Sequence, residues 1–248
     1  MNLDRIIAVR NNKTVYRDGD RCLKVFNEGY SKADVLNEAL NQARIEETGL
    51  NIPRVLEVTV IDGKWTIVSD YIKGKTLTQL MQENPEKKDE YLNLFVDLQL
   101  EMHSKTCPLL NKLKDKMNRK ICQTDLSATV RYDLHTRLES MPKHNKVCHG
   151  DFNPSNVIFG DDGQLYVCDW AHATQGSPAA DVATTYLLFA LSSKDQAEAY
   201  LELYCDRADM PMQVVRQWTS IVAASELARK RNVNDEFLKN WIDVVDYQ

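Results

Sequence analysis

Asp151 and Asn156, five residues apart in the run His149-Gly150-Asp151-Phe152-Asn153-Pro154-Ser155-Asn156, are followed after an apolar stretch by Asp169-Trp170. This spacing constrains the chain more than any other feature. Val157-Ile158-Phe159 and Leu165-Tyr166-Val167-Cys168 read as strands, with Gly160-Asp161-Asp162-Gly163 as the turn between them. A hairpin of that length returns the chain to its starting point. Asn156 and Asp169 are therefore expected side by side, able to share a cation, with Asp151 close by on the preceding loop. One carboxylate to orient a hydroxyl and accept its proton, plus two oxygen ligands for a magnesium ion on nucleotide phosphates, is the set that phosphoryl transfer requires.

Two other chemistries compete for these residues. In an EF-hand reading, Asp151, Asn153 and Ser155 take odd positions and Asp162 the twelfth. Position six would then be Asn156 where glycine is needed, Pro154 interrupts the loop, and the flanks are strand-like. His149, Asp151, Asp169 and His172 are chemically suited to zinc, but no HExxH-type helical pair accompanies them.

The HGDFNPSN run followed by DW resembles the catalytic and metal-binding loops of the aminoglycoside phosphotransferase and choline kinase-like small-molecule kinases. That family shares the protein kinase fold and carries HGD and Asp-aromatic motifs in place of HRD and DFG. The resemblance implies an α+β, two-lobed protein-kinase-like fold. A small N-terminal antiparallel sheet lobe with one helix would span residues 1–72, and a larger, mostly helical C-terminal lobe residues 73–248. It implies ATP, with GTP left open, and Mg2+. The acceptor would be a small-molecule hydroxyl of aminoglycoside, amino alcohol or sugar type.

The same resemblance assigns roles elsewhere. Ile6–Val9, Thr14–Arg17 and Arg21–Phe26 read as three strands, and Lys24 lies on the third. In the family pattern this lysine holds the α- and β-phosphates and pairs with a glutamate of the next helix. Residues 32–47 supply that helix, with Val35, Leu36, Ala39, Leu40, Ala43 and Ile45 as an apolar stripe and Glu38 at its border. Taken alone, Lys24 and Glu38 would be ordinary solvated residues. Ser69, Asp70, Tyr71 and Ile72 resemble the hinge whose backbone reads the adenine edge. Asp181 matches the aspartate that braces the catalytic loop, with a first-turn helix carboxylate as the plain alternative. His149 is assigned to bracing as well. A glycine-rich phosphate loop is missing between the first two strands; Arg10-Asn11-Asn12-Lys13 stands there, and Lys13 can supply charge at that spot.

Composition agrees. With 248 residues and 43% hydrophobic content, the chain is long enough for two lobes. A net charge of −5 argues against a nucleic-acid partner. No run approaches eighteen apolar residues, so no membrane segment is expected. Six cysteines without CxxC spacing, and an N-terminus without a signal pattern, fit the cytoplasm. Oligomeric state is not legible.

From residue 87 onward the pattern is mostly helical. One stripe comprises Tyr91, Leu92, Leu94, Phe95, Leu98 and Met102, and another Leu126, Val130, Leu134 and Leu138. The basic run 112–120 reads as a solvated helix face. Later helices are expected near 179–192, 195–206, 211–231 and 235–246. Trp170, His172, Trp218, Glu226 and Trp241 are candidates to line an acceptor pocket, with simple packing as the alternative for each. A protein kinase is disfavoured by the short stretch between Asp169 and Asp181. A pseudokinase that only binds nucleotide remains the other reading, favoured by the glycine-free loop and opposed by the complete set of acid, metal ligands and lysine.

Overall fold

The computed structural model describes residues 3, 5–228 and 235–243. In chain order its strands and helices are β1 (Arg5–Val9), β2 (Lys13–Asp18), β3 (Arg21–Phe26), α1 (Lys32–Glu46), β4 (Val55–Ile61), β5 (Lys64–Asp70), β6 (Gly74–Thr76), α2 (Leu77–Glu83), α3 (Lys88–Ser104), α4 (Leu113–Cys122), α5 (Ala128–Ser140) and β7 (Lys146–Cys148). They continue with β8 (Val157–Gly160), β9 (Leu165–Val167), β10 (Thr174–Gly176), α6 (Pro178–Ala190), α7 (Lys194–Arg207), α8 (Met212–Leu227) and α9 (Asp235–Lys239). The architecture is two-lobed, an antiparallel sheet with a helix followed by a mostly helical body. The chain divides into two compact units, Met1–Lys88 with Pro154–Ala173, and Asp89–Asn153 with Thr174–Gln248.

The first unit is built on a five-stranded antiparallel sheet in the order β1-β2-β3-β5-β4. Side chains alternate across a strand, and β3 shows what that does here. Leu23 and Val25 pack with Val68 on one face, while Phe26 packs with Ile67 and with Val35 and Ala39 of α1 on the other. Lys24 shares the Phe26 face and is thereby aimed toward α1. Ser31 starts α1 by accepting the Asp34 N–H at 3.3 Å.

The apolar stripe expected on α1 is only partly buried. Leu36 and Leu40 are 43% and 47% exposed, and the inward positions are Val35, Glu38, Ala39, Asn41, Gln42 and Ile45. The reason is that polar groups on the inner side have partners there. Gln42 donates to the Pro53 carbonyl at 2.5 Å, and Glu38 meets two ammonium groups. The buried face therefore runs through them instead of through the flanking leucines.

The hairpin forms as expected, with Val157 opposite Val167, Ile158 opposite Tyr166 and Phe159 opposite Leu165. Cys168 lies one residue past β9. β6 extends this hairpin into a second, three-stranded sheet of order β6-β8-β9. Gly74 permits the pairing: at φ 155°, a Cβ there would lie 2.2 Å from the Phe159 carbonyl oxygen.

In the second unit, α6 is apolar on nearly every side, and Ala179 through Leu187 are all buried, the pattern of a central helix. Phe95 stacks on Phe152 at 4.3 Å between ring centres and meets Tyr200 edge-on at 6.0 Å. Of the first expected stripe, Tyr91, Phe95, Leu98 and Met102 are buried, whereas Leu92 and Leu94 are only half-buried. Val130, Leu134 and Leu138 line the inner face of α5, and Leu126 precedes that helix. The basic run becomes α4, which buries Leu113, Met117 and Ile121 and leaves its charged residues outside the core. The expected helix 211–231 appears as α8 but ends at Leu227, and the expected helix 235–246 appears only as α9, which stops at Lys239 and leaves 240–243 non-helical; residues 229–231 and 244–246 lie outside the described residues. Among the described residues, no helix is long and apolar enough to cross a membrane.

Candidate active site

Lys24 reaches the α1 side of the sheet because β3 alternates about Leu23 and Val25. Its ammonium group forms an ion pair with Glu38, and a second with Asp169 Oδ1 at 3.2 Å. Asp169 follows β9 in a left-handed backbone conformation, φ 65° and ψ 61°. That region is uncommon for a residue with a side chain, although aspartate adopts it more readily than most. Lys13, at the start of β2, enters the same cluster. Its Nζ lies 3.2 and 3.4 Å from the two Asp169 oxygens and 3.5 Å from Glu38 Oε1. Two cations and two carboxylates thus form one largely buried group.

The electrostatics follow from that grouping. Burial by itself would raise the Asp169 carboxyl, but the ammonium groups of Lys24 and Lys13 outweigh it and hold the acid well below the usual carboxylate range. Burial would likewise lower Lys24, and the Asp169 and Glu38 carboxylates reverse that, raising it above its ordinary value. For Cys168 burial wins: it pushes the thiol up to about 12, and the nearby Lys24 ammonium offsets only part of that.

The hairpin sets Asn156 beside this group. The Cys168 N–H donates to the Asn156 carbonyl at 2.8 Å, so the residues flanking β8 and β9 are held together. Lys13, Lys24, Asn156 and Asp169 all border a cavity of about 560 Å³, which the 69–72 segment also lines. That size suits a small organic ligand. Asn156 and Asp169 offer hard oxygen donors suited to magnesium, which commonly takes one or two carboxylates and completes its shell with phosphate and water. Among the described residues no three His, Cys, Asp or Glu side chains converge on a metal position, so the zinc alternative has no donor set.

In segment 69–72, two backbone donors are already engaged. The Asp70 N–H donates to the Arg54 carbonyl at 3.0 Å, and the Tyr71 N–H to the Asp20 carbonyl at 2.9 Å. Arg54 also donates through Nε to the Asp70 carboxylate at 2.7 Å, and the Tyr71 ring lies against the Arg17 guanidinium at 4.2 Å. Ser69 is held in β5 between Cys22 and Val55.

The HGD loop belongs to the second unit and hangs on one side chain. Asp181, 2% exposed in the first turn of α6, accepts the His149 N–H at 3.0 Å and the Gly150 N–H at 2.6 Å. His103 Nε2 stands 3.1 Å from the same carboxylate, and His103 Nδ1 is 2.7 Å from the Tyr204 hydroxyl. Because an ionised carboxylate can only accept, Nε2 must carry a proton toward it. Burial raises the Asp181 carboxyl, but the bond to His103 and the neighbouring donors overcome this and leave it below its usual value. The loop is tightened further by the Asp151 N–H donating to His149 Nδ1 at 3.2 Å, the Thr185 hydroxyl to the Phe152 carbonyl at 2.9 Å, and Asn153 to the Asp151 carbonyl at 2.9 Å.

The residues singled out from the sequence thus fall into two groups. Lys24, Glu38, Ser69 to Ile72, Asn156 and Asp169 lie in the first unit, and His149, Asp151 and Asp181 in the second. His103 was missed. Its signal is a polar residue inside the apolar stripe of α3, four positions after the equally buried Gln99. Among the acceptor candidates, Trp170 is fully buried with its Nε1 donating to the Val167 carbonyl at 3.0 Å, and Trp241 meets Tyr186 edge-on. Trp218 is buried and borders a cavity of about 610 Å³ with Lys112, Asn118, Lys143 and Gln175.

Comparison with known proteins gives this geometry its context. The model of the phosphotransferase enzyme family matches residues 5–214. A thermostable mutant of aminoglycoside phosphotransferase APH(4)-Ia, solved in its apo form, superimposes with a TM-score of 0.70 at 16% identity, over 96% of this chain and 92% of that one. Choline kinase LicA from Streptococcus pneumoniae gives a TM-score of 0.58 at 16% identity, over 97% and 92%. The ADP-bound aminoglycoside phosphotransferase APH(2'')-Ib gives 0.63 at 16% identity, over 96% and 91%. At these identities the likeness is one of fold.

Proposed function

The chain belongs to the phosphotransferase enzyme family, and from that premise we propose that it transfers the γ-phosphate of ATP, with Mg2+, to a hydroxyl of a small molecule of aminoglycoside, amino alcohol or sugar type. The observation that carries this reading is the Lys24–Glu38–Asp169 group at the edge of the cavity. A lysine held by a helix glutamate is pre-positioned for phosphate oxygens. Asp169, balanced by two ammonium groups, stays ionised and available to a divalent cation. Magnesium, when bound, neutralises charge on the phosphates as the bond to the leaving group breaks.

In this reading Asp169 and Asn156 hold the metal ion, and Lys24, steadied by Glu38, orients the phosphates. The adenine edge lies against segment 69–72. Since the Asp70 and Tyr71 amides are engaged, the Ile72 N–H and the carbonyls of the segment take that recognition. Asp151 orients the acceptor hydroxyl and takes its proton. Asp181 and His149 keep the HGD backbone in position for Asp151.

A small acceptor is favoured over a peptide by the segment that follows Asp169. Trp170–His172 forms a short 3-10 turn and β10 starts at Thr174, so little chain remains before Asp181 for a peptide-docking loop. The net charge of −5 argues against a nucleic-acid acceptor, and a reducing cytoplasm suits six cysteines of which none forms a disulfide. Calorimetric titration with magnesium-ATP tests the assignment. Wild type should bind, and Asp169→Ala should lose the magnesium-dependent part of the affinity. Equal affinity in both proteins would refute it.

A further inference from the structure

The turn joining β1 to β2 is closed by the Arg10 N–H donating to the Lys13 carbonyl at 2.8 Å. Neither Asn11 nor Asn12 has a positive φ. Their carbonyls are both occupied by Asn27, whose backbone N–H donates to Asn12 at 2.9 Å and whose side chain donates to Asn11 at 3.0 Å. A glycine-rich loop grips phosphate with successive backbone N–H groups that point inward. This turn is tight, glycine-free and fastened to the segment after β3, so it offers no such cradle.

A side chain occupies that place instead. Lys13 pairs with Phe26 and Val15 with Lys24 in the β2–β3 register. By strand alternation Lys13, Val15, Lys24 and Phe26 share one face. Lys13 is 8% exposed, and its ammonium group meets the same two carboxylates as Lys24. A lysine is costly to bury without partners, and here two lysines face two carboxylates, Glu38 and Asp169; with a metal ion on Asp169, Glu38 would balance only one of them.

We propose that Lys13 is a second phosphate-holding lysine, which substitutes for the glycine-rich loop and acts on the terminal phosphate. The Asp169 carboxylate holds its ammonium at the cavity, and a metal ion held by that carboxylate would leave the ammonium to a phosphate oxygen. The direction comes from the sheet. Cys22 lies opposite Ser69 at the adenine end, Lys24 opposite Ile67, and Phe26, beside Lys13, one step further. Each two-residue step advances about 6.8 Å along a strand, so Lys13 enters from the end of the sheet remote from the base, beyond Lys24. Lys24 then serves the inner phosphates and Lys13 the outer one.

This inference rests on the reading of the cavity as a nucleoside triphosphate site, and one experiment separates the two. The full chain is titrated calorimetrically with a magnesium complex of a non-hydrolysable ATP analogue and with magnesium-ADP, as wild type, Lys13→Met, Lys13→Arg and Lys24→Met. Loss of one charge-assisted bond predicts that Lys13→Met weakens the triphosphate analogue about 10-fold or more. ADP should change by less than about threefold, and Lys13→Arg should recover most of the loss. Lys24→Met should weaken both ligands. If Lys13→Met fails to fold, Lys13→Gln, which keeps a polar head on a shorter stem, carries the same comparison. Equal effects on both ligands, or none, would make Lys13 only a counterion of Asp169 and overturn the proposal while leaving the cavity assignment standing. Failure of the wild type to bind either nucleotide would overturn both.

Discussion

Replacing Asp181 by asparagine tests how the HGD loop is held. The carboxylate accepts two backbone N–H groups and faces His103 Nε2, all buried. With the asparagine oxygen kept on the His149 and His103 side, its NH2 group faces the Gly150 N–H donor to donor. One buried donor left unsatisfied costs about 1–3 kcal/mol, and the remaining bonds lose their charge assistance. The expected destabilisation is about 2–4 kcal/mol. Asp181→Ala would strip every partner and cost about 3–5 kcal/mol, as for breaking a buried pair. That approaches the whole stability of a marginal protein, about 5–15 kcal/mol, so asparagine is the more useful variant. Urea unfolding reads the loss directly, and the melting temperature should fall by about 4–16 °C at about 2–4 °C per kcal/mol for a chain of this size.

The sign of the pH dependence is part of the same test. Asp181 has a folded value depressed below the ordinary 3.8. Its contribution is therefore complete above that pH and disappears as the pH falls through the folded value. The gap between wild type and Asp181→Asn should accordingly narrow below about pH 4. Nucleotide affinity should be unchanged within about twofold, well under the roughly 1 kcal/mol of a lost hydrogen bond, because Lys24, Glu38, Asn156 and Asp169 belong to the other unit. A destabilisation under about 0.5 kcal/mol, the range of ordinary surface substitutions, would refute the argument that this carboxylate carries the loop.

Asp151→Asn should leave magnesium-nucleotide affinity intact and slow transfer about 10²–10⁴-fold, the range for a positioned acid–base group; single-turnover rates with a near wild-type value would remove Asp151 from that role. Asn156→Ala should raise the magnesium concentration needed for half-maximal nucleotide binding without shifting the urea midpoint, since a neutral amide completes a coordination shell that the Asp169 charge anchors. An unchanged magnesium requirement would remove Asn156 from the shell.

The parts of the fold that were legible in the sequence are those fixed by local chemistry. The 157–167 hairpin announces itself by a Gly-Asp-Asp-Gly turn between apolar runs, and β3 by a β-branched and aromatic stretch around Lys24. What sequence periodicity does not resolve is which apolar positions a helix buries. Leu36 and Leu40 fit the stripe of α1 but point outward, because Glu38 and Gln42 find partners on the inner face. The site residues least visible in sequence are those defined by distant partners. Lys13 reads as charge standing where a glycine-rich loop is missing, but its pairing with Asp169, 156 positions away, has no trace in the sequence. His103 reads as a helix-end histidine until Asp181 and Tyr204 close on either side of it.

The most direct measurement is 31P NMR of ATP incubated with magnesium, the enzyme and a panel of aminoglycosides, amino alcohols and sugars, run in parallel on Lys24→Ala and with a zinc chelator. The proposed function predicts ADP and one new phosphomonoester signal with at least one acceptor, survival of that signal in the chelator, and its loss in Lys24→Ala. Turnover that persists in Lys24→Ala but stops when zinc is removed would contradict it.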